Sequence, residues 1–337
     1  MAYRVRHITC YQFSEPVSLS HNLAWLQPRH TPSQNPLSFE WTIEPTPAIV
    51  FPRLDIHGNR VHYFEVLESH RTLTIECVSQ VAVTPPLPLC PGVSPPWEEA
   101  RDLLNASQDP RYLLERQFLL DSPLVRRTPE LARYAAPSFP PRRPLIDGVI
   151  DLMRRIHADF AYRPRATTIA TPLSEILAHR HGVCQDFAHV AIGALRSLGL
   201  AARYVSGYLE TLPPPGRPRL VGADASHAWF ATLCPYLGWI DLDPTNDLLP
   251  SDRHITLAWG RDYSDVPPLK GVVLGGGRNP VLDVSVDVQR DTPYQESGFT
   301  QNANQGFGQT PNQGFSQEFD QDLNREFSQD FNQNSMY

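Results

Sequence analysis

Residues 181–208, HGVCQDFAHVAIGALRSLGLAARYVSGY, contain a cysteine, a run of helical periodicity and a strand-like segment. After Cys184 the apolar residues recur at helical spacing, and Gly199 is a typical helix stop. The pattern predicts a long helix that begins at Cys184 and is followed by three strands, over 201–210, 227–233 and 238–242. Helices followed by strands are typical of an α+β core, with helices packed on an antiparallel sheet, rather than of alternating βαβ units.

Cys184 is predicted to lie at the start of this helix. The first turn of a helix has N–H groups without intrahelical partners and a partial positive charge, which favours thiolate over thiol. The same N–H groups, together with Gln185, would bind an oxyanion formed by attack on a carbonyl. The alternative is a buried structural cysteine, and position alone does not decide between the two.

A thiolate nucleophile needs a base, and the base needs an orienting group. His227 heads a predicted strand 43 residues after Cys184, and Asp243 ends the next strand 16 residues later. These separations permit neighbouring antiparallel strands with the helix packed across them. Asp241 competes with Asp243, because strand alternation puts both on one face.

The chain resembles the bacterial transglutaminase-like proteins, whose core is a papain-like cysteine-protease fold. The resemblance implies the triad Cys184, His227 and Asp243, and it covers about residues 1–290. The N-terminal part resembles the β-rich leader of that family. The motifs that carry the resemblance are HGVCQDFAHVAIGALRSLGLAARYVSGY (181–208), ASHAWF (225–230), GWIDLDPTND (238–247) and WGRDYSDVPPLKG (259–271).

The remaining candidate site residues are aromatic or histidine side chains. Trp229 and Trp239 are interpreted as walls of a substrate groove, with core packing as the alternative. One dense group of potential metal ligands is His179, His181, Cys184 and His189. A metal site is not expected there, because the group lacks zinc-site spacing and no second ligand pair accompanies it. No cofactor is expected.

Four segments are predicted. Residues 1–90 form a β-rich, β-sandwich-like domain; 91–145 form a Pro-rich linker and helical connection; 146–290 form the transglutaminase-like core; 291–337 form a low-complexity tail. Within the core, helices are predicted over 147–162 and 173–180. The tail is rich in Gln, Asn and Phe, a composition that favours disorder and weak protein contacts.

Composition limits the partners. The net charge is −7, and seven acids and one base lie from Asp291 onward, so the body is nearly neutral. This gives no electrostatic case for nucleic acid or an anionic membrane. No secretory signal or membrane span is evident. Five scattered cysteines favour a reducing cytoplasm over a disulfide scaffold.

Cys–His–Asp chemistry passes through a thioester, and the acceptor decides the outcome. The resemblance favours a hydrolase, a thiol protease or amidase acting on a protein or peptide. A protein-glutamine gamma-glutamyltransferase is the first alternative. A single lysine, Lys270, fits an enzyme that would otherwise crosslink itself through its glutamine-rich tail, and a coding bias toward arginine is the simpler explanation. A non-catalytic peptide-binding module is the second.

Overall fold

The chain begins with an exceptionally long strand, β1 (Ala2–Ala24). Its first half pairs with β5 (His70–Val83) and β13 (Val281–Asp291), and its second half pairs with β4 (Arg60–Val66) and β12 (Leu269–Gly275). The pairing is irregular where the two halves join, and the strands paired to each half contribute buried residues to one cluster, such as Ile75 of β5 and Phe64 of β4. The predicted β-rich, sandwich-like region is therefore confirmed.

This computed structural model describes residues 1–86, 88–90, 92–164, 166–211, 226–278 and 280–291. The prediction for the tail falls almost entirely outside these residues.

Two further strands complete the N-terminal sheet, and its order is β2-β5-β1-β4-β3, with β12 and β13 paired to β1. The strands are β2 (Gln34–Glu44) and β3 (Ile49–Leu54). The hairpin predicted from His57-Gly58-Asn59 joins β3 to β4, and Gly58 adopts a φ of 73°, which favours glycine.

The predicted core boundary at residue 290 is wrong. Strands β12 and β13 run antiparallel to β1 and belong to the N-terminal sheet. The alternation of Val284, Val286 and Val288 predicts a strand correctly, but alternation identifies a buried face and not the sheet that supplies the partner.

The second sheet has four antiparallel strands in the order β10-β9-β8-β11. A long helix, α6 (Cys184–Ser197), packs on one face through residues such as Val190 and Ala194, which are fully buried. The predicted helix and all three predicted strands are confirmed. The three predicted strands are β8 (Ala202–Leu209), β9 (Ser226–Cys234) and β10 (Gly238–Leu242), and the fourth strand of the sheet is β11 (His254–Gly260).

Helices before α6 fill the rest of the core. The helices predicted over 147–162 and 173–180 are α4 (Leu145–Asp159) and α5 (Leu173–His179). A short parallel pair, β6 (Ala161–Tyr162) and β7 (His181–Gly182), leads into α6. No helix in the described ranges is both long enough and apolar enough to cross a lipid bilayer.

The helical connection predicted within residues 91–145 is present, but the interpretation of the segment as a linker needs correction. This segment forms α1 (Trp97–Ala106), α2 (Pro110–Glu115) and α3 (Pro129–Ala135). Leu131 and Phe139 are buried in the main core. Apolar burial of this kind makes the segment part of the folded body, which proline content alone did not indicate.

Side-chain amides bind the outer edge of β11 in place of another strand. Gln34 donates to the Thr256 carbonyl at 2.7 Å and accepts from the Thr256 N–H at 2.8 Å. Asn59 makes the same pair of contacts with Trp259, at 2.8 and 3.0 Å. Both amides are buried, so they satisfy the backbone groups of an edge that solvent does not reach.

Candidate active site

Cys184 is the first residue of α6, and a neighbouring carboxylate caps the helix. Asp186 accepts from the Val183 N–H at 2.8 Å and from the Thr167 hydroxyl at 2.6 Å. A Cβ at Gly182 would lie 2.5 Å from the Asp186 carboxylate, so glycine is required for this close approach. The sequence thus fixes a sharp entry into the helix and places the sulfur at its N-terminus.

The structure brings Cys184, His227 and Asp243 together. His227 Nε2 lies 2.7 Å from Asp243 Oδ2, and Cys184 is close enough to the His227 ring to raise its pKa. Because Asp243 occupies Nε2, Nδ1 is the ring nitrogen left for the sulfur. The His227 side chain is 9% exposed and that of Asp243 is 0% exposed, so the ion pair is shielded from bulk water.

Five donors surround the Asp243 carboxylate. Oδ1 accepts from the backbone N–H groups of Thr245 and Asn246, at 3.0 and 3.2 Å. Oδ2 accepts from the Asn246 amide at 2.8 Å, besides His227, and lies 3.1 Å from His254 Nε2. A buried carboxylate with this many donors is held in one orientation.

The electrostatics follow from these contacts. Burial lowers the pKa of His227, but the hydrogen bonds to Asp243 and Cys184 outweigh burial and raise it to about 10. Burial also opposes ionisation of Asp243, yet the hydrogen bonds from His227 and His254 hold its pKa well below its usual range. At neutral pH the pair is therefore imidazolium and carboxylate.

Asp241, the competing orienter, lies within β10, whereas Asp243 directly follows that strand. It shares a cross-strand row with Arg203 through Ala231. Burial raises the pKa of Asp241, and the Arg203 charge only partly opposes this rise. His227 Nε2 donates to Asp243 and not to Asp241.

The prediction of Trp229 as a wall of the substrate groove needs correction, whereas that of Trp239, which is partly exposed, stays a prediction. Trp229 is 0% exposed, and its ring packs against His227 and His254, at centroid distances of 6.0 and 5.2 Å. The Trp239 ring meets Phe118 edge to face at a centroid distance of 5.1 Å, and Trp239 lies four residues before Asp243, about 13 Å along an extended strand. Alternation predicts the face of each ring but not what covers it. Gln185, partly exposed beside Cys184, keeps its predicted place.

The histidines near Cys184 have other partners. His189 is buried and accepts from the Tyr263 N–H at 3.2 Å, while His179 and His181 stack on each other at 5.8 Å. Within the described residues, metal-ligand types converge instead at His227, Asp243 and His254, whose ligand atoms lie within 4.8 Å of one another.

Sequence reasoning missed two residues of the site. Asn246 follows Asp243 in the run DPTN, and that turn composition is a signal that could have identified it. His254 had no such signal, because it starts β11, at the opposite edge of the sheet from β10. Only the strand order brings it to Asp243.

The sequence matches two family descriptions. Residues 3–82 match the bacterial transglutaminase-like N-terminal region, and residues 134–244 match the transglutaminase-like superfamily. An uncharacterised protein of Mycobacterium tuberculosis is 47% identical over 294 residues, which cover 85% of this chain and 92% of that protein. The chain belongs to the transglutaminase-like superfamily.

Two other similar proteins differ in their names. A protein-glutamine gamma-glutamyltransferase of Pseudomonas aeruginosa is 35% identical over 102 residues, which cover 29% of this chain and 15% of that protein. A crystal structure from Cytophaga hutchinsonii, named provisionally as a cysteine protease, superposes with a TM-score of 0.64 at 20% identity, covering 88% of this chain and 94% of that one. The second likeness establishes the cysteine-protease fold.

Proposed function

We propose that this protein is a cysteine-dependent amide hydrolase, a protease or amidase that acts through a thioester on Cys184. The observation that carries the proposal is the shared imidazole: His227 Nε2 lies 2.7 Å from Asp243 Oδ2, and Cys184, the first residue of α6, is close enough to the same ring to raise its pKa.

The chemistry proceeds in two steps. In the first, the Cys184 thiolate attacks the amide carbonyl carbon, and the first-turn N–H groups, with Gln185, stabilise the oxyanion. The imidazolium of His227 gives its proton to the departing amine as the thioester forms. In the second, His227 takes a proton from water, hydroxide adds to the thioester, and the carboxylic acid leaves while the thiolate is restored.

Asp243 is the orienting residue in this proposal. Its carboxylate fixes the His227 ring and stabilises the imidazolium, as the acid of a catalytic triad does. A thiol nucleophile needs reduced sulfur, so we also propose a reducing, cytoplasmic location.

The test is incubation with a peptide library, followed by mass analysis of the products. Peptide cleavage adds one water across two fragments, whereas side-chain deamidation exchanges ammonia for water. Cys184→Ala is expected to abolish either product while the fold remains intact. Cys90→Ala is the matched control, because Cys90 is exposed and remote in sequence from the site. Full activity of Cys184→Ala would refute the proposal.

Transglutamination is the second candidate, favoured by the match to the Pseudomonas gamma-glutamyltransferase. An amine in place of water would take the acyl group from the same thioester. The sole lysine, Lys270, lies in β12, where burial lowers its pKa. A labelled primary amine added to the library decides between the two: transfer of the label to glutamine supports the transferase, and its absence supports hydrolysis.

A binding module without catalysis remains the third candidate. Under a limiting thiol-reactive probe at neutral pH, the enzyme is expected to label at Cys184 first. Burial raises the pKa of Cys77 to about 12 and that of Cys234 to about 11, so these two should react last. Equal, slow labelling of all five cysteines would favour the module.

A further inference from the structure

Two histidines share one carboxylate oxygen at the candidate active site. His254 Nε2 lies 3.1 Å from Asp243 Oδ2, the atom that also contacts His227. The His254 side chain is 2% exposed, and its ring meets Trp229 edge to face at 5.2 Å. A polar ring packed this tightly has a single orientation, so the contact to Asp243 is built into the fold.

The fold leaves space for the His254 ring to reach across the second sheet to Asp243. His254 starts β11, while Asp243 follows β10 at the other edge. Gly207 of β8 lies between them, and a Cβ there would come within 2.5 Å of the Trp229 ring. The absence of a side chain at Gly207 therefore leaves room for Trp229, against which His254 packs.

The second nitrogen of His254 indicates what the ring does. Its Nδ1 accepts from the Ser251 N–H at 3.4 Å, which places the remaining proton of a neutral ring on Nε2. Burial lowers the pKa of His254, so the ring is neutral at physiological pH. A metal at Nε2 would require the proton on Nδ1, facing the Ser251 N–H, and this argues against a metal held by His227, Asp243 and His254.

We propose that His254 is a positioning residue that donates its Nε2–H to Asp243 and thereby holds the carboxylate against His227. The inference rests on the proposed function. Of the other donors to Oδ2, His227 moves protons during the reaction and Asn246 is exposed to water. His254 is the buried, neutral donor whose contact does not change during the reaction.

The N-terminal region supports this donor. Thr256, two residues beyond His254, is bound by the buried Gln34 amide through both of its backbone groups. A strand held on its outer edge in this way keeps its first residue in register. The β-rich region thus contributes to the site through β11.

The test compares three variants in an esterase assay with p-nitrophenyl acetate, with rates divided by the fraction of Cys184 that iodoacetamide titrates. His254→Leu removes the donor, and we expect kcat to fall about 10- to 100-fold, the loss of one hydrogen bond to a buried charge, with KM within about twofold. His254→Gln returns an N–H near the Nε2 position, and it should recover most of that loss. His189→Leu is the control: it removes another buried histidine, and it should lower thermal stability without changing kcat per titrated site.

The outcomes separate this inference from the proposed function. Wild-type kcat in His254→Leu, or equal kcat in His254→Leu and His254→Gln, overturns the positioning role while Cys184→Ala remains inactive. Activity in Cys184→Ala refutes the proposed function itself. Co²⁺ uptake by the wild type with visible absorption bands, lost in His254→Leu, would replace the positioning role with a metal site.

Discussion

Two carboxylates on neighbouring same-face positions, Asp241 and Asp243, have opposite surroundings. Asp243 is fully buried with five donors, and its pKa is held low. Asp241 is half-buried in a cross-strand row with Arg203, and this burial raises the pKa of Asp241. Strand position alone would make them equivalent. The comparison teaches that the partners brought by other strands assign a carboxylate its role.

The surroundings of Asp243 and of Asp241 also differ in what they stabilise. At Asp243, polar hydrogen bonds converge on both oxygens of one carboxylate. In the Asp241 row, Arg203 lies between two aromatic rings, 4.3 Å from the Trp239 centroid and 3.7 Å from that of Trp259. We therefore expect substitutions around Asp243 to change activity, and substitutions in the Asp241–Arg203 row to change stability.

Between the two carboxylates, the larger effect is expected from Asp243→Asn. An amide leaves the shape intact but no longer stabilises the imidazolium of His227, and kcat should fall about 10²- to 10⁴-fold. Asp241→Asn is the matched control two residues away, with kcat expected within about threefold of wild type. Steady-state kinetics on both variants measure the contrast. Equal losses would abolish the distinction between the two carboxylates.

A stability effect should appear in Arg203→Ala. Two desolvated cation–π contacts are lost, so the free energy of unfolding should fall by about 2–4 kcal/mol, measured by urea denaturation. The kcat per titrated Cys184 should stay unchanged, because Arg203 does not contact His227. If Arg203→Ala unfolds like the wild type but has a lower kcat, the Asp241–Arg203 row supports activity and not stability.

The pH profile sharpens the comparison. The pKa of His227 is about 10, so the imidazolium persists through neutral pH and is lost as the pH rises past that value. In the wild type, kcat/KM should hold to about pH 9 and then fall about tenfold per pH unit. In Asp243→Asn this alkaline limb should move toward the ordinary histidine value of about 6.5, since the Asp243 carboxylate is a main cause of the raised pKa. An unmoved limb would assign the raised pKa to another group.

The smallest effect is expected from Asn246→Ala. The Asn246 amide donates to Asp243 Oδ2 at 2.8 Å, but the residue is exposed and water can replace it. A loss of about fivefold in kcat corresponds to about 1 kcal/mol. A loss of kcat as large as that expected for His254→Leu would show that the exposed donor, Asn246, contributes as much as the buried donor, His254.

Local patterns predicted much of this structure. Helical spacing after Cys184 located α6, and strand alternation located β8 to β10. The same patterns did not identify β11 as a strand or show that Trp229 is sealed inside the sheet. Those facts depend on which elements pack together, and no single segment encodes that.

The sequence by itself determined the cysteine at a helix start, the histidine at the head of a strand and an acid at the end of the next, because helix and strand periods are local properties of the chain. Tertiary structure decided which acid contacts His227, that His254 joins it, and that β12 and β13 return to the first sheet. These follow from strand order and register, which long-range burial and backbone pairing select.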